Sequence, residues 1–243
     1  MNLVIDIGNT SIKTAVFEAD TLQAFLKIPV AETVKLKNFS LELQPVKACL
    51  VSSVKPEPLR IIDELGLNCK VLLLDQYTIV PFRNSYQTPG TLGKDRLAGV
   101  ASAFFMFPGS DILVIDAGTA ITYDLLTSEG EYLGGAISPG INMRYKALHT
   151  FTGMLPLLEQ ENDAELIGNS TTSSIHSGVL NGVLFEVDRT IVEYMNRYPA
   201  LKIILTGGDV NYFDKQLKVK TFAAPNLVLQ GLNYLLNFNL EKH

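Results

Sequence analysis

The chain has 243 residues, with 20 lysines and arginines against 25 aspartates and glutamates, for a formal net charge of −5. This balance offers no basic surface of the kind that binds nucleic acid or anionic membranes. No apolar run approaches the roughly 18 residues of a membrane span, and the N-terminus lacks the features of a secretory signal. The two cysteines form no metal-binding spacing. From the charge balance, the short apolar runs and this cysteine usage, we expect a cytoplasmic protein with neither a membrane nor a nucleic-acid partner.

The first half of the chain opens with two short apolar runs joined by a turn. Leu3–Asp6 and Ile12–Phe17 predict strands, and the intervening Gly8-Asn9-Thr10 is typical of a hairpin. A loop rich in proline, glycine and asparagine, "VPFRNSYQTPGTLGKDR", comes later and precedes a helix. The remaining elements predicted in this half are strands at Cys49–Val54 and Val71–Leu74 and helices at Arg60–Leu65 and Leu97–Phe107.

The same pattern restarts after Pro108-Gly109. It predicts strands at Ile112–Ile115, Thr122–Leu126, Tyr132–Ile137 and Leu201–Leu205, and helices at Ile141–Leu148, Ser173–Tyr198 and Pro225–Phe238. Since each half begins with a hairpin whose turn follows an aspartate, we predict a duplicated α/β domain. The predicted boundary divides the chain into residues 1–110 and residues 111–243.

Two similar stretches stand at the heads of these halves. "VIDIGNT" covers Val4–Thr10, and "VIDAGTA" covers Val114–Ala120. A glycine in the turn lets backbone N–H groups approach an anion, and an aspartate at the strand end can hold a cation that neutralises phosphate charge. A single copy would be read as an ordinary hairpin turn. Two copies favour a site that binds a polyphosphate from two sides, with Lys13 near a terminal phosphate. No Walker sequence is present.

A third motif, "TLGKDRLAG", has no counterpart in the second half. Asp95 lies where the loop becomes a helix, and Arg96 follows it. A kinase that acts on a hydroxyl needs a carboxylate that accepts the hydroxyl proton, and an arginine can hold a carboxylate or phosphate through two hydrogen bonds. The alternative is that Asp95 merely stabilises the helix N-terminus. The residues alone leave both open.

Taken together, these motifs resemble type III pantothenate kinases, a family of the actin-like ATPase superfamily. The resemblance rests on "DIGNTSIK", "SSV", "NSYQTPGTLGKDR", "DAGTA", "GGAISPG" and "TGG", which occur in the family's order and span nearly the whole chain. It implies two duplicated RNase H-like domains with a central cleft. It also implies ATP-dependent phosphorylation of pantothenate to 4′-phosphopantothenate, the first step of coenzyme A biosynthesis, by in-line transfer.

The resemblance assigns roles residue by residue. Asp95 is the implied general base, and Asp116 is the implied ligand of a monovalent cation, K⁺ or NH₄⁺. Pantothenate, the second substrate beside Mg²⁺–ATP, is assigned to Tyr86, Gly93, Lys94, Asp95, Arg96 and Thr171, with Thr172 an alternative to Thr171. ATP is assigned to Asp6, Ile7, Gly8, Asn9, Thr10, Ser11, Ile12, Lys13 and Thr119. The family further implies a homodimer whose pantothenate site is shared across the interface.

Two other functions remain open on the sequence. A small sugar or acetate-type kinase of the same superfamily would share the two aspartate turns but not the "LGKDR" loop. A non-catalytic regulatory homologue would have no evident need for Asp6, Asp95 and Asp116 together.

Overall fold

The computed structural model describes residues 1–32, 35–36, 38–39, 45–54, 62–63 and 65–242, so half of the predicted helix Arg60–Leu65 falls outside the described residues. The chain forms two compact units. The first comprises Met1–Pro108, Gly130–Tyr132 and the chain from Asn226 onward, and the second comprises Gly109–Glu129 and Leu133–Pro225. None of the helices within the described ranges has the length and apolar character needed to cross a membrane.

The elements are numbered in chain order. The strands are β1 (Asn2–Ile7), β2 (Ser11–Glu18), β3 (Thr21–Pro29), β4 (Ala48–Ser53), β5 (Lys70–Leu73), β6 (Arg83–Asn84), β7 (Ile112–Ala117), β8 (Ala120–Leu126), β9 (Glu131–Pro139), β10 (Lys202–Thr206) and β11 (Phe222–Ala223). The helices are α1 (Lys94–Met106), α2 (Ile141–Thr150), α3 (Thr171–His176), α4 (Gly182–Arg197), α5 (Val210–Gln216) and α6 (Leu227–Lys242).

The first unit is built on a five-stranded sheet in the order β3-β2-β1-β4-β5. β1 runs antiparallel to β2 and parallel to β4, and β4 runs parallel to β5. Every residue of β4 is buried, and Leu3, Val4 and Ile5 of β1 are fully buried. Central strands covered on both faces read as continuous apolar runs, which is why the sequence predicts both of them.

Helices α1 and α6 pack against each other in the first unit. The contact is close, because a Cβ added to Gly231 on α6 would lie 1.8 Å from the backbone oxygen of Ala98 on α1. The side chain of Asn2 on β1 also donates to Asn233 at 3.0 Å and to Asn237 at 2.6 Å, both on α6. The C-terminal helix therefore belongs to the first unit, whereas the division at residue 110 assigns it to the second domain.

The second unit repeats the sheet of the first. Its strands follow the order β11-β10-β7-β8-β9, with β7 antiparallel to β8 and parallel to β10, and β10 parallel to β11. The predicted duplication is therefore confirmed strand by strand. At the start of β9, Glu131 and Tyr132 belong to the first unit and pair with β6.

The long predicted helix Ser173–Tyr198 is interrupted in the structure. α3 passes into a wider π-helical turn, Ser177–Asn181, before α4 continues to Arg197. One side of this helical run is apolar, and Ile175, Val179, Val183, Val187 and Ile191 pack into the core of the second unit. The apolar spacing that predicted the helix is thus the spacing of its buried face.

Candidate active site

The first aspartate turn lies at the end of β1. Asp6 pairs across the sheet with Lys13 on β2 and with Ser52 on β4. Ser52 donates its hydroxyl to Asp6 Oδ1 at 3.0 Å. The sequence does not single out Ser52 beyond the "SSV" motif. Ser52 and Asp6 lie on two parallel strands, and which residues face each other on such strands depends on the path of the chain between them.

The Asp6 carboxyl is unusually basic. Burial and then the negative charge of Asp95 raise its pKa from 3.8 to about 6, while the Lys13 charge and the hydrogen bond from Ser52 lower it. The charges of Lys13 and Asp95 therefore both act on the Asp6 carboxyl within the first unit. A desolvated carboxyl beside a second carboxylate favours a bound cation.

The turn after Asp6 presents its polar residues to solvent. The Gly8 N–H donates to the Ser11 oxygen at 3.0 Å and closes the turn, and Asn9 and Thr10 are exposed. The side chains of Ile7 and Ile12 lie in the core of the first unit. Contacts with a nucleotide at these two positions would therefore use backbone atoms.

Asp95 lies in the first turn of α1, two residues after Gly93, the N-cap residue. The Arg96 N–H donates to Asp95 Oδ1 at 2.9 Å. A Cβ added to Gly93 would lie 2.6 Å from the same oxygen. Glycine at position 93 therefore leaves the space that the Asp95 carboxylate occupies.

The rest of the "GKDR" loop is held by specific contacts. Lys94 donates its Nζ to the Ser53 backbone oxygen at 3.0 Å. The Arg96 side chain is buried, and its guanidinium lies 5.4 Å from the centre of the Tyr86 ring. Tyr86 in turn stacks on Tyr132, with ring centres 6.2 Å apart and planes 14° from parallel. Tyr132 is a supporting residue that the sequence does not reveal, because it lies far from Tyr86 in the chain and meets it only in the folded protein.

The second unit contains a turn built like the first. Asp116 pairs across the sheet with Thr122 on β8 and with Thr206 on β10, and the Gly118 N–H donates to the Ala120 oxygen at 3.1 Å. Asp116 is thus the structural counterpart of Asp6. Thr119, the predicted ATP contact, is exposed at this turn.

Two glycines elsewhere in the second unit approach the Asp116 turn. Gly207 has a φ of +99°, and a Cβ there would lie 2.2 Å from the Ala117 oxygen and 2.6 Å from Asp116 Oδ1. Gly140 donates its N–H to the Thr119 oxygen at 3.1 Å. The motifs "TGG" and "GGAISPG", weak signals alone, therefore converge on the Asp116 turn.

Thr171 and Thr172 open helix α3, and both are exposed. Ser170 caps this helix: its hydroxyl accepts from the Ser173 N–H at 3.1 Å, while the Ser170 N–H donates to Ser173 Oγ at 2.9 Å. The cap fixes the helix start on which both threonines sit. Their exposure does not distinguish Thr171 from Thr172 as the substrate contact.

Metal binding here would rest on isolated carboxylates. Within the described part of the chain, no group of three or more histidine, cysteine, aspartate or glutamate side chains is arranged to hold a metal ion. Asp6, buried beside Asp95, suits a hard cation that also takes phosphate oxygens and water as ligands. The donor set therefore fits a divalent ion that arrives with a nucleotide better than a resident metal.

Comparisons with known sequences identify one family. The family model for type III pantothenate kinase matches residues 2–193. A type III pantothenate kinase from Christiangramia forsetii is 47% identical over 98% of this chain and 99% of its own length. One from Bacteroides fragilis is 44% identical over 98% of both chains.

Solved structures give the fold. A Baf family protein from Campylobacter jejuni superposes with a TM-score of 0.66 at 21% identity, covering 98% of this chain and 99% of that one. A ROK family glucokinase from Streptomyces griseus, in complex with glucose and AMPPNP, gives 0.55 at 11% identity over 99% of both chains. With the duplicated sheets, these likenesses confirm the predicted RNase H-like, actin-like ATPase fold class.

Proposed function

The chain belongs to the type III pantothenate kinase family, and from this premise we propose that Asp95 is the general base of its reaction. A kinase of this family phosphorylates pantothenate for coenzyme A biosynthesis, with ATP and a divalent metal ion. The sugar-kinase and regulatory alternatives are therefore set aside. The remaining question is which residues carry the transfer to 4′-phosphopantothenate.

The observation that carries the proposal is the pairing of Asp95 with Asp6. Within the first unit the negative charge of Asp95 raises the pKa of Asp6, so a phosphate bound through a cation at Asp6 would lie close to Asp95. A base must reach the hydroxyl proton in the substrate complex. Asp95 has the required space, because Gly93 has no side chain and the Arg96 N–H orients one carboxylate oxygen.

The pantothenate side is proposed to be the "GKDR" loop with Tyr86. Pantothenate carries a carboxylate, and a buried arginine can bind a carboxylate through two parallel hydrogen bonds. Arg96 is 7% exposed and lies over the Tyr86 ring, which restricts its orientation. Lys94 and Gly93 then set the path of the loop, through the Ser53 contact and the space beside Asp95.

The nucleotide side is proposed to be the two aspartate turns. The first comprises Asp6–Lys13, and the second contributes Thr119. Exposed Asn9, Thr10 and Thr119 offer amide and hydroxyl donors, and the Lys13 ammonium offers positive charge for phosphate oxygens. Mg²⁺ would be held through Asp6, where it would neutralise charge on the transferred phosphoryl group.

Asp116 is proposed to hold the monovalent cation. It stands in the second unit at the position that Asp6 occupies in the first. K⁺ is coordinated mainly by neutral oxygens, and backbone oxygens of Ala117 and Gly118 lie within the same tightly packed turn. Asp116 would add negative charge to such a set.

We propose a cytoplasmic homodimer in which Thr171 of one chain completes the site of the other. The support is the exposed position of Thr171 at the capped start of α3. The exposed apolar side chains Phe151, Met154 and Ile167 lie in the sequence just before this helix. Apolar groups exposed in this way are typical of a protein interface.

A coupled ADP-release assay tests the proposed function. It compares pantothenate with a panel of sugars, in buffers with and without K⁺, for the wild type and Asp95→Asn. We expect ADP release that requires pantothenate, rises with K⁺ and is lost in Asp95→Asn while ATP binding persists. Unchanged turnover by Asp95→Asn would contradict the role of Asp95 as the general base. Turnover that does not depend on K⁺ would contradict the role of Asp116 as the ligand of a monovalent cation.

A further inference from the structure

Glu186 on α4 connects three elements of the second unit. Ser138 near the end of β9 donates its hydroxyl to Glu186 Oε1 at 2.5 Å. Arg144 on α2 donates from Nη2 to Glu186 Oε2 at 2.6 Å and from Nε to the Pro139 oxygen at 2.9 Å. Both carboxylate oxygens are therefore engaged, and the Arg144 guanidinium bridges Glu186 to the Ser138-Pro139-Gly140 turn.

That turn packs directly on the second aspartate loop. The Gly140 N–H donates to the Thr119 oxygen at 3.1 Å. A Cβ added to Gly140 would lie 2.1 Å from the Gly118 oxygen and 2.6 Å from the Thr119 oxygen. With backbone against backbone and no spare space, a displacement of the Ser138-Pro139-Gly140 turn is transmitted to Gly118 and Thr119.

The charges at Glu186 are partly shielded from solvent. The side chains of Arg144 and Glu186 are 21% and 34% exposed, whereas those of Arg189 and Glu193, paired on the exposed face of α4, are 72% and 49% exposed. Burial raises the pKa of Glu186, but hydrogen bonds from Ser138 and Arg144 and the Arg144 charge lower it below its usual value overall. Glu186 is therefore held as a carboxylate at neutral pH.

We infer that Glu186 is a positioning residue for the nucleotide, acting through Arg144 and the Ser138-Pro139-Gly140 turn on the Gly118–Thr119 loop. This inference rests on the proposed function, which places ATP at that loop. Glu186 itself touches no substrate. Its effect is to hold Ser138 and Pro139 in place, so that Gly140 fixes the loop before ATP binds.

Positioning of this kind gives a specific kinetic signature. A loop that is no longer held must be ordered by the nucleotide itself, so the KM for ATP should rise. The pantothenate loop lies in the first unit, so the KM for pantothenate should stay within twofold. Loss of a residue that orients a metal ligand typically costs about 10- to 100-fold in affinity, and we expect a loss at the lower end of this range for the nucleotide loop.

The experiment compares steady-state kinetics of Glu186→Gln, Arg144→Gln and the double variant with those of the wild type. Glutamine retains an oxygen for Ser138 but removes the charge and the acceptor for Arg144. Glu193→Gln is the matched control. Glu193 lies on the same helix as Glu186 and also accepts a hydrogen bond from an arginine, Arg189, but this pair is at the exposed face of the helix. Arg144→Lys is the conservative variant and keeps the charge.

We expect about a tenfold rise in the KM for ATP in Glu186→Gln and in Arg144→Gln, and no further rise in the double variant. Arg144→Lys should recover part of the loss, and Glu193→Gln should match the wild type. An equal KM for ATP in Glu186→Gln and Glu193→Gln would overturn the inference. A lower melting temperature with unchanged KM for ATP would also overturn it, since the role would then be structural.

Thr119→Ala separates this inference from the proposed function. A raised KM for ATP in Thr119→Ala together with an unchanged value in Glu186→Gln would leave the proposed ATP loop standing and overturn the role of Glu186. The reverse result would support Glu186 as the positioning residue and restrict the loop's contact with ATP to backbone atoms.

Discussion

Asp6 and Asp95 are electrostatic neighbours, since burial first and the charge of Asp95 second raise the pKa of Asp6 to about 6. One residue ends a central strand and the other begins a helix. The sheet and the helix of the first unit therefore place the negative charge of Asp95 near the Asp6 carboxyl, at a site where a bound cation would offset the repulsion. Proximity of this kind is costly for folding and useful for phosphoryl transfer.

The first prediction concerns pH and stability. Because the pKa of Asp6 is about 6 in the folded protein and near 3.8 in the unfolded chain, the folded state binds more protons between these values. The free energy of unfolding contributed by Asp6 therefore falls as the pH rises through this window. Between pH 5 and pH 7, the wild type should lose about 1 kcal/mol relative to Asp6→Asn.

Urea denaturation at a series of pH values, in buffer without nucleotide and divalent ions, measures this difference. Taking the difference between the two proteins removes the contribution of other titrating groups. Parallel pH profiles for the wild type and Asp6→Asn would contradict a raised pKa at Asp6.

The second prediction concerns the space beside the base. In Gly93→Ala the added methyl would lie 2.6 Å from Asp95 Oδ1 and 3.4 Å from Arg96 carbons. The Asp95 side chain can rotate away, so stability should change little. A misplaced base costs on the order of a hundredfold in rate. We therefore expect kcat to fall by about this factor with the melting temperature nearly unchanged.

Gly153→Ala is the control for that variant, because a Cβ at Gly153 would meet nothing within 4 Å. Steady-state kinetics and thermal unfolding of both variants give the comparison. A normal kcat in Gly93→Ala would show that the carboxylate of Asp95 need not occupy its present position.

The third prediction concerns the shared site of the dimer. If Asp95 of one chain and Thr171 of the other form one site, Asp95→Asn and Thr171→Val should each have low activity as homodimers. A mixed dimer keeps one intact site. An equal mixture of the two variants is then unfolded and refolded. Activity should return to about a quarter of the wild-type value, because half of the dimers are mixed and each mixed dimer has one intact site of two.

Co-refolding of each variant with itself is the control. A mixture with no more activity than the mean of the two homodimers would place Thr171 outside the shared site. The same experiment with Thr172→Val determines which of the two threonines completes it.

Much of this site follows from local sequence. The turns at Asp6 and Asp116 are strand–aspartate–glycine signals, and the structure confirms both and their duplication. Asp95 is predictable as the start of a helix after a glycine-rich loop. Strand β3 is not predicted, because it is partly exposed along most of its length and carries a weaker pattern than the buried strands.

The residues that support the site do not follow from sequence. Ser52 reaches Asp6 across a parallel strand pair, and Tyr132 reaches Tyr86 from a distant strand. Glu186 meets Ser138 and Arg144 through packing of three elements. The C-terminal helix has an apolar pattern that fits either unit. Its close contact between Gly231 and Ala98 places it in the first unit. Such partners depend on tertiary packing, which local spacing does not encode.

The most direct test of the account is single-turnover formation of phosphopantothenate by Asp95→Asn, measured by rapid chemical quench with saturating ATP and pantothenate. Asparagine keeps the oxygen that accepts from the Arg96 N–H but cannot accept the substrate proton. We expect a chemical step slower by about 10²- to 10⁴-fold, with both substrates still bound. Asp20→Asn, a control at an exposed turn, should react like the wild type. A chemical step within a few-fold of the wild-type rate would contradict the assignment of Asp95 as the base.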